Sequence, residues 1–339
     1  MKGKILLLIS TLCFVMFVGC ATSIPVNIQR PSALDLGDAE TVCVVPFKLH
    51  EFDDNIKFSG FIINFGSIVS SEKERKEEVL VSTYITKQLT SKLVNSDCYK
   101  LVDSAVVEAA IKEGREIPVD IYLTGKIDKF SEDVIYDEEE YIEDDETKYR
   151  GFYKKSVWLE VTYQVVNAKD NSIISYKPAS YTVTSNEYER RSDLPNAYSV
   201  IEMQLNNLVE QIYRDIHPYT ETKYLQLKSD KSKNPDFKIA QEMAKNGLTK
   251  EAQEKFSEIY SKTKNFEAGY NAAILMQVNG DLNNSYDLMK ELSNVSSDKQ
   301  VFNALKDIQF EIDSAKKLQL QNAARSMRED LNFIIKLTS

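Results

Sequence analysis

Apolar and polar positions follow two different rhythms along this chain. Thr41-Val42-Cys43-Val44-Val45-Pro46-Phe47 is apolar and β-branched, and Pro46 closes it, so it reads as a buried strand. Across residues 72–95, Val79, Leu80, Ile85, Leu89 and Leu93 fall at helical spacing with charge between them. Residues 98–103 (CYKLVD) predict a short strand. Ser104 is placed as the N-cap of a helix through Glu113, and Gly114 is placed to stop it. Residues 119–127 predict a third strand. The order strand, helix, strand, helix, strand favours a sheet with helices packed on it. Residues 157–167 then alternate, Asp170-Asn171 makes a turn, and residues 172–185 return, which predicts a β-hairpin. Residues 195–217 predict an amphipathic helix with Val200, Ile201, Leu205, Leu208, Val209 and Ile212 on one face and Pro195 in its first turn.

Residues 218–237 are polar and lysine-rich and close on Asn234-Pro235, which reads as a linker. Beyond it the pattern is wholly helical, over 238–325. Asn246-Gly247-Leu248-Thr249-Lys250-Glu251-Ala252 recurs 33 residues later as Asn279-Gly280-Asp281-Leu282-Asn283-Asn284-Ser285. Phe256 pairs with Met289 in that frame, and Ile259 with Leu292. This spacing resembles the tetratricopeptide repeat, a helix–turn–helix unit of about 34 residues. The glycine suits the tight turn, and the small residue five positions on lets two helices approach closely. Ala272 and Ala273 fall where such repeats place small residues. A generic pair of helical hairpins would leave a similar trace. Residues 298–321 would be a further helix covering the stack. By analogy with repeat positions, Tyr270, Asn271, Met276 and Tyr286 are the expected partner contacts.

The N-terminus has its own signature. Met1–Lys4 carries two lysines, Ile5–Val18 is an almost wholly apolar run of 14 residues, and Val18-Gly19-Cys20 follows. That is the layout of a secretory leader, and the run is shorter than the ~20 residues a spanning helix needs. The pattern resembles the bacterial lipoprotein lipobox. It implies cleavage after residue 19 and acylation of Cys20, palmitate included. Phe17 stands where Leu is more usual. The alternative is an ordinary secreted protein with a chance cysteine. Stable anchoring takes more than one acyl chain, so a lipidated Cys20 holds the chain on a bilayer. Residues 20–40, with Pro25, Pro31 and Gly37, read as a lipidated tether.

Five segments in order carry a second resemblance: VCVVPF at 42–47, TKQLTSKLVNS at 86–96, YKLVD at 99–103, DIYLTGKIDKF at 120–130 and VTYQVVNAKDNSIISY at 161–176. Together they resemble the curli-secretion lipoprotein family (CsgG-like) and the lipoprotein activators of penicillin-binding proteins (LpoB-like). The resemblance covers about half the chain. It implies an envelope lipoprotein whose α/β domain, over 41–217, serves assembly or regulation rather than catalysis. The curli-secretion branch forms ring-shaped pores, which need membrane strands that alternate apolar and polar. Residues 131–156, where the first pore hairpin would fall, hold Asp137-Glu138-Glu139-Glu140 and Glu143-Asp144-Asp145-Glu146. The second, near 184–196, is short and charged. Both pore hairpins are therefore expected to be absent, with 137–146 as a solvated hairpin tip. Residues 56–70 (IKFSGFIINFGSIVS) are apolar, with Phe61, Ile63, Phe65 and Val69 on one parity. They read as cover for the sheet, as an exposed patch for a partner, or as a membrane strand. Phe61, Ile63 and Phe65 are the candidate partner contacts of that segment.

Composition narrows the partners. The 339 residues carry a net charge of −10, and a leader with two lysines and no acid takes this to −12 on cleavage. Nucleic acid needs a basic footprint, so it is excluded. Adhesion to anionic lipid by charge is excluded too. Of the four cysteines, Cys43 and Cys98 remain in the mature domain, as buried core thiols or as a disulfide pair. His50 and His217 stand far apart with no metal-ligand spacing around them. No phosphate loop, dinucleotide fingerprint or nucleophile elbow occurs. The expectation is a non-enzyme with no cofactor beyond the lipid on Cys20. It has an α/β N-terminal domain, a mixed sheet flanked by helices, followed by an all-α helical-repeat domain. It would be a scaffold or regulator on the outer membrane, facing the periplasm, with envelope proteins as partners and homo-oligomers open. The alternative is a subunit of an oligomeric secretion channel.

Overall fold

The computed structural model describes residues 22–37, 39–49, 72–230 and 234–338. Cys20, Phe61, Ile63 and Phe65 lie outside them. The chain is a mixed α/β protein that divides into two compact units.

One unit is built on a five-stranded mixed sheet in the order β3-β2-β4-β5-β6. Its strands are β2 (Thr41–Val44), β3 (Lys100–Leu101), β4 (Ile121–Glu143), β5 (Glu146–Asn167) and β6 (Ile173–Thr184). Strand β2 runs parallel to β3 and β4, while β4, β5 and β6 are antiparallel in turn. The short β-branched run of β2 is covered on both faces, as a central strand should be. Val42 and Val44 point to one core, Cys43 and Val45 to the other. The first core is closed by α1 (Glu72–Val94) and α3 (Ala197–Ile216), the second by α2 (Ser104–Glu113).

Helix α1 buries Val81, Ile85, Leu89 and Leu93, one residue every four, and leaves Val79 and Leu80 exposed. Asp103, not Ser104, caps α2, its side chain accepting from the Ala105 N–H at 2.8 Å, and Gly114 ends the helix at φ +65°. Helix α3 starts after Asn196, which accepts from the Ser199 N–H, so Pro195 precedes the cap instead of opening the first turn. Tyr163 donates to the buried Asp215 at 2.8 Å, and Lys177 answers the same carboxylate at 2.7 Å, which ties α3 to β5 and β6.

Phe47 crosses β4 at Gly125. A Cβ there would lie 2.1 Å from the Phe47 ring. Gly125→Ala should therefore displace Phe47 and destabilise this unit by about 1–3 kcal/mol, the usual range for overpacking. Urea unfolding followed by the emission of Trp158, the sole tryptophan, checks it; an unchanged midpoint would contradict the steric argument.

Asp120 joins β2 to β4. Its carboxylate accepts from the N–H groups of Glu40 and Thr41 and from the Thr41 hydroxyl, at 2.8–2.9 Å. Burial alone would raise its pKa, but these bonds and Lys169 outweigh that and hold it below the usual carboxylate value. A depressed folded pKa stabilises above the unfolded value, near ~3.9, and that contribution is lost as pH falls through the folded pKa. Asp120→Asn should flatten the acid limb of stability below about pH 4. An acid limb identical to wild type would contradict this.

The second unit is not purely helical. It holds α4 (Pro235–Lys245), α5 (Thr249–Thr263), α6 (Phe266–Val278), α7 (Leu282–Val295) and the first part of α8 (Lys299–Thr338). It also holds a two-stranded antiparallel sheet of β1 (Thr22–Arg30) and β7 (Tyr219–Leu227). Much of the segment expected as a tether, and the first half of the expected linker, are thus strands. Helices α4 to α7 pack each on the next. Gly247 and Gly280 adopt φ +81° and +84° at the two matching turns. Ala252 and Ser285, five residues on, are fully buried, and Ser285 donates to the Ala273 carbonyl at 2.7 Å. Phe256, Met289, Ile259 and Leu292 all lie in the one core. Cys43 and Cys98 are not joined. Burial first, then Glu108 and Asp103, push the Cys43 thiol up to about 12.

Candidate functional site

Two surfaces stand out, a groove beside β7 and a ribbon formed by β4 and β5. The groove follows from how β7 is built. Tyr219-Thr220-Glu221-Thr222-Lys223-Tyr224-Leu225-Gln226-Leu227 alternates, and Leu225 and Leu227 face the helices together with Ile24 of β1. The β1–β7 register runs unbroken from Thr22↔Leu227 to Arg30↔Tyr219. Pro25 stands opposite Tyr224. Proline has no N–H, and it is tolerated in a strand where that position faces away from the ladder. The Pro25–Tyr224 pair is therefore a non-hydrogen-bonded one, and the N–H and C=O of Tyr224 point away from β1. Every second residue shares that direction, which brings in Gln226 and then Lys228. Lys228 shows it directly. Asn271 on α6 accepts its N–H at 2.7 Å and donates to its carbonyl at 2.9 Å, as a neighbouring strand would.

The outer edge of β7 thus opens into a groove of about 460 Å³, within the range of ligand pockets. Residues of α6 and α8 form its sides. Lys228 lies 4.8 Å from the Tyr270 ring centroid, and bonds Asp298 at 2.6 Å and Gln300. Lys223 pairs with Asp307 at 3.2 Å. Both lysine charges are therefore answered. Burial, then the charges of Asp298 and Asp307, push the Tyr270 phenol up to about 12. Gln277 lines the groove at 5% exposure, and among the described residues its Nε2 has no hydrogen-bond partner. A buried amide donor with no acceptor is rare and costly.

The expected contact residues separate here. Tyr270 is buried under Lys228, and Asn271 is fully buried and occupied by the chain's own strand. Met276 and Tyr286 are half-buried and outside the groove. Tyr224, Gln226, Lys228 and Gln277 were not singled out by the sequence reading. The one signal for the strand residues was the alternation of residues 219–227, and nothing local marked Gln277.

The ribbon comes from the length of its strands, 23 and 22 residues, against a mean near ~5–6. A bulge between Ile127 and Lys129 shifts the parity of β4, so Phe130 still reaches the core. β6 accompanies β5 no further than Ser156. Past that point β4 and β5 continue as a two-stranded hairpin, met on the β5 side by Ser185, whose N–H donates to the Lys155 carbonyl at 2.8 Å, and by the Tyr188 bridge at Tyr153. It turns at Asp144-Asp145, with φ +56° and +59°, a pair of left-handed residues suited to a tight hairpin. One face carries Val134, Tyr136, Tyr149 and Tyr153 with Glu138 and Glu140; the other carries Asp137, Glu139, Lys148 and Arg150. Neither face is an apolar band. The acidic run at 137–146 forms the exposed end of the hairpin. Among the described residues no group of three metal-ligating side chains occurs, and no helix is long and apolar enough to cross a membrane.

No family model matches the chain, and no curated protein matches it. Among solved structures, a PelC dodecamer from Paraburkholderia phytofirmans is 12% identical over 57% of this chain and 99% of its own, with a TM-score of 0.25. Lipoprotein GNA1162 from Neisseria meningitidis is 12% identical over 51% and 97%, with a TM-score of 0.27. Hypothetical protein CT253 from Chlamydia trachomatis is 12% identical over 51% and 95%, with a TM-score of 0.25. Likeness of this order is too slight to carry function, substrate or partner to this chain.

Proposed function

We propose that this chain is a non-catalytic lipoprotein of the bacterial envelope. Cys20 fixes it to a membrane, and its two units bind protein partners in envelope assembly or regulation. The outer membrane, with the protein facing the periplasm, fits Ala21 after Cys20 and the absence of an acidic residue there. The observation that carries the reading is the β4–β5 hairpin, a long two-stranded arm with exposed Tyr136, Tyr141, Ile142 and Tyr149, whose main chain is unpaired, among the described residues, on the outer edge of β4 past Ile127 and of β5 between Tyr153 and the turn. Exposed edges of this kind are templates for pairing with another chain. The repeated turns at Gly247 and Gly280 support a tetratricopeptide-like reading of α4 to α7, a second binding module.

The second reading is a subunit of an oligomeric secretion channel of curli-secretion type. The length of the arm favours it, since ~9–11 residues per strand suffice to cross a bilayer. The carboxylates on both faces oppose it.

The test is the mass of the lipidated full chain in mild detergent, by size exclusion with light scattering. A monomer or dimer supports the scaffold; a ring-sized particle overturns it in favour of the channel. Cys20→Ser, carried behind a secretory leader that is removed without lipidation, tests the anchor separately. It should move the protein from the membrane to the soluble fraction, and retention in the membrane would overturn lipid anchoring.

A further inference from the structure

We propose that the groove along the outer edge of β7 accepts an extended peptide segment of another protein as a third strand of the β1–β7 sheet. This rests on the scaffold reading and names the chemistry of one partner. Three observations converge on it. First, Tyr224 and Gln226 turn their N–H and C=O groups into the groove, as the Pro25 pairing and the Asn271 clasp on Lys228 both require. Asn271 already supplies for Lys228 what a neighbouring strand would supply for the other two. Second, the buried Gln277 Nε2 lines the same groove without an acceptor among the described residues. A peptide carbonyl beside β7 is the acceptor it lacks. Third, Glu267 lines the groove with no ion pair among the described residues, while both groove lysines are paired. A basic residue at that end of the peptide is favoured.

The two edges of the sheet are not equivalent. The outer edge of β1 carries Pro25, which has no donor and blocks strand addition there. The outer edge of β7 has no such residue. Strand addition gives affinity through main-chain bonds and leaves specificity to alternate side chains, so the ligand is defined by shape, by an acceptor opposite Gln277 and by a basic end.

The probe is a library of random twelve-residue peptides displayed on phage, selected against the full chain. Enriched peptides are then synthesised and titrated by fluorescence anisotropy. They should alternate in pattern and carry Lys or Arg at one end. Binding should slow amide exchange at Tyr224 and Gln226 at least tenfold. Gln226→Pro deletes one outward N–H and leaves the β1 ladder intact. It should weaken binding at least tenfold while exchange in β1 stays as in wild type. Gln277→Leu, at nearly constant volume, should weaken it several-fold. The proposal is overturned if no peptide is enriched, if enriched peptides bind Gln226→Pro as tightly as wild type, or if slowed exchange falls elsewhere. It is also overturned if the free chain dimerises and Gln226→Pro abolishes the dimer, since the occupant would then be a second copy. The detergent mass measurement does not involve the groove, so the scaffold reading survives or fails on separate data.

Discussion

Arg30→Met should destabilise the helix-rich unit by about 3–5 kcal/mol, because it leaves a buried carboxylate without its principal partner. Arg30 ends β1 and is 6% exposed at its side chain; Glu311 on α8 is 3% exposed. Two parallel bonds join them, at 2.5 and 2.8 Å, the fork geometry that suits guanidinium and carboxylate. Glu221 of β7 takes a third bond at 2.8 Å, and the Phe310 ring lies 5.2 Å from the guanidinium. One side chain thus ties both strands of the small sheet to α8. Without it, Glu311 keeps Lys223 at 3.6 Å, which is too long to replace two direct bonds. The double variant Arg30→Met with Glu311→Leu should recover most of the loss, since it removes both charges at similar volume. Far-UV circular dichroism in urea reads the helices, whereas Trp158 sits in β5 of the other unit and reports on that sheet. Equal losses in the single and double variants would show that packing, not charge, dominates here.

Much of the larger unit was legible in the sequence because its determinants are local. Ile201, Leu205, Leu208, Val209 and Ile212 share one helical face, and all five are buried. The alternation over 157–165 placed Val157, Leu159, Val161, Tyr163 and Val165 on the face that reaches the core. Gly247 and Gly280 announced their turns because only left-handed backbone fits there. The small sheet was illegible for an equally physical reason. β1 and β7 are polar on one face, contain a proline, and meet across nearly 200 residues, as the Arg30–Glu221 bond shows. No local window senses such a pairing. Pro25 reads as a breaker in isolation and is harmless once its edge faces away from the ladder. The arm was half-legible. Its carboxylates argued against a lipid-facing strand but did not reveal that β4 runs on for 16 residues past Ile127, since an exposed strand carries no continuous apolar signal.

The same gap explains why Asn271 was first read as a contact for a partner, and its substitution is the second large effect expected. Asn271→Leu should destabilise the strand-and-helix contact by about 2–3 kcal/mol, the cost of stranding a shielded N–H and losing a carbonyl bond. Asn271 is fully buried, and both ends of its amide engage the Lys228 main chain. Leucine has a similar volume and supplies neither donor nor acceptor. The Lys228 carbonyl retains a 3.4 Å contact from Gln241, but its N–H has no other partner there. The loss should be local before it is global, because a two-unit chain does not unfold as one state. Amide exchange should therefore accelerate across β7 and β1 at urea concentrations that leave α1 and α3 protected. Exchange in β7 unchanged from wild type would mean that Asn271 does not hold the strand, and the geometry assigned to its outer edge would fall with it.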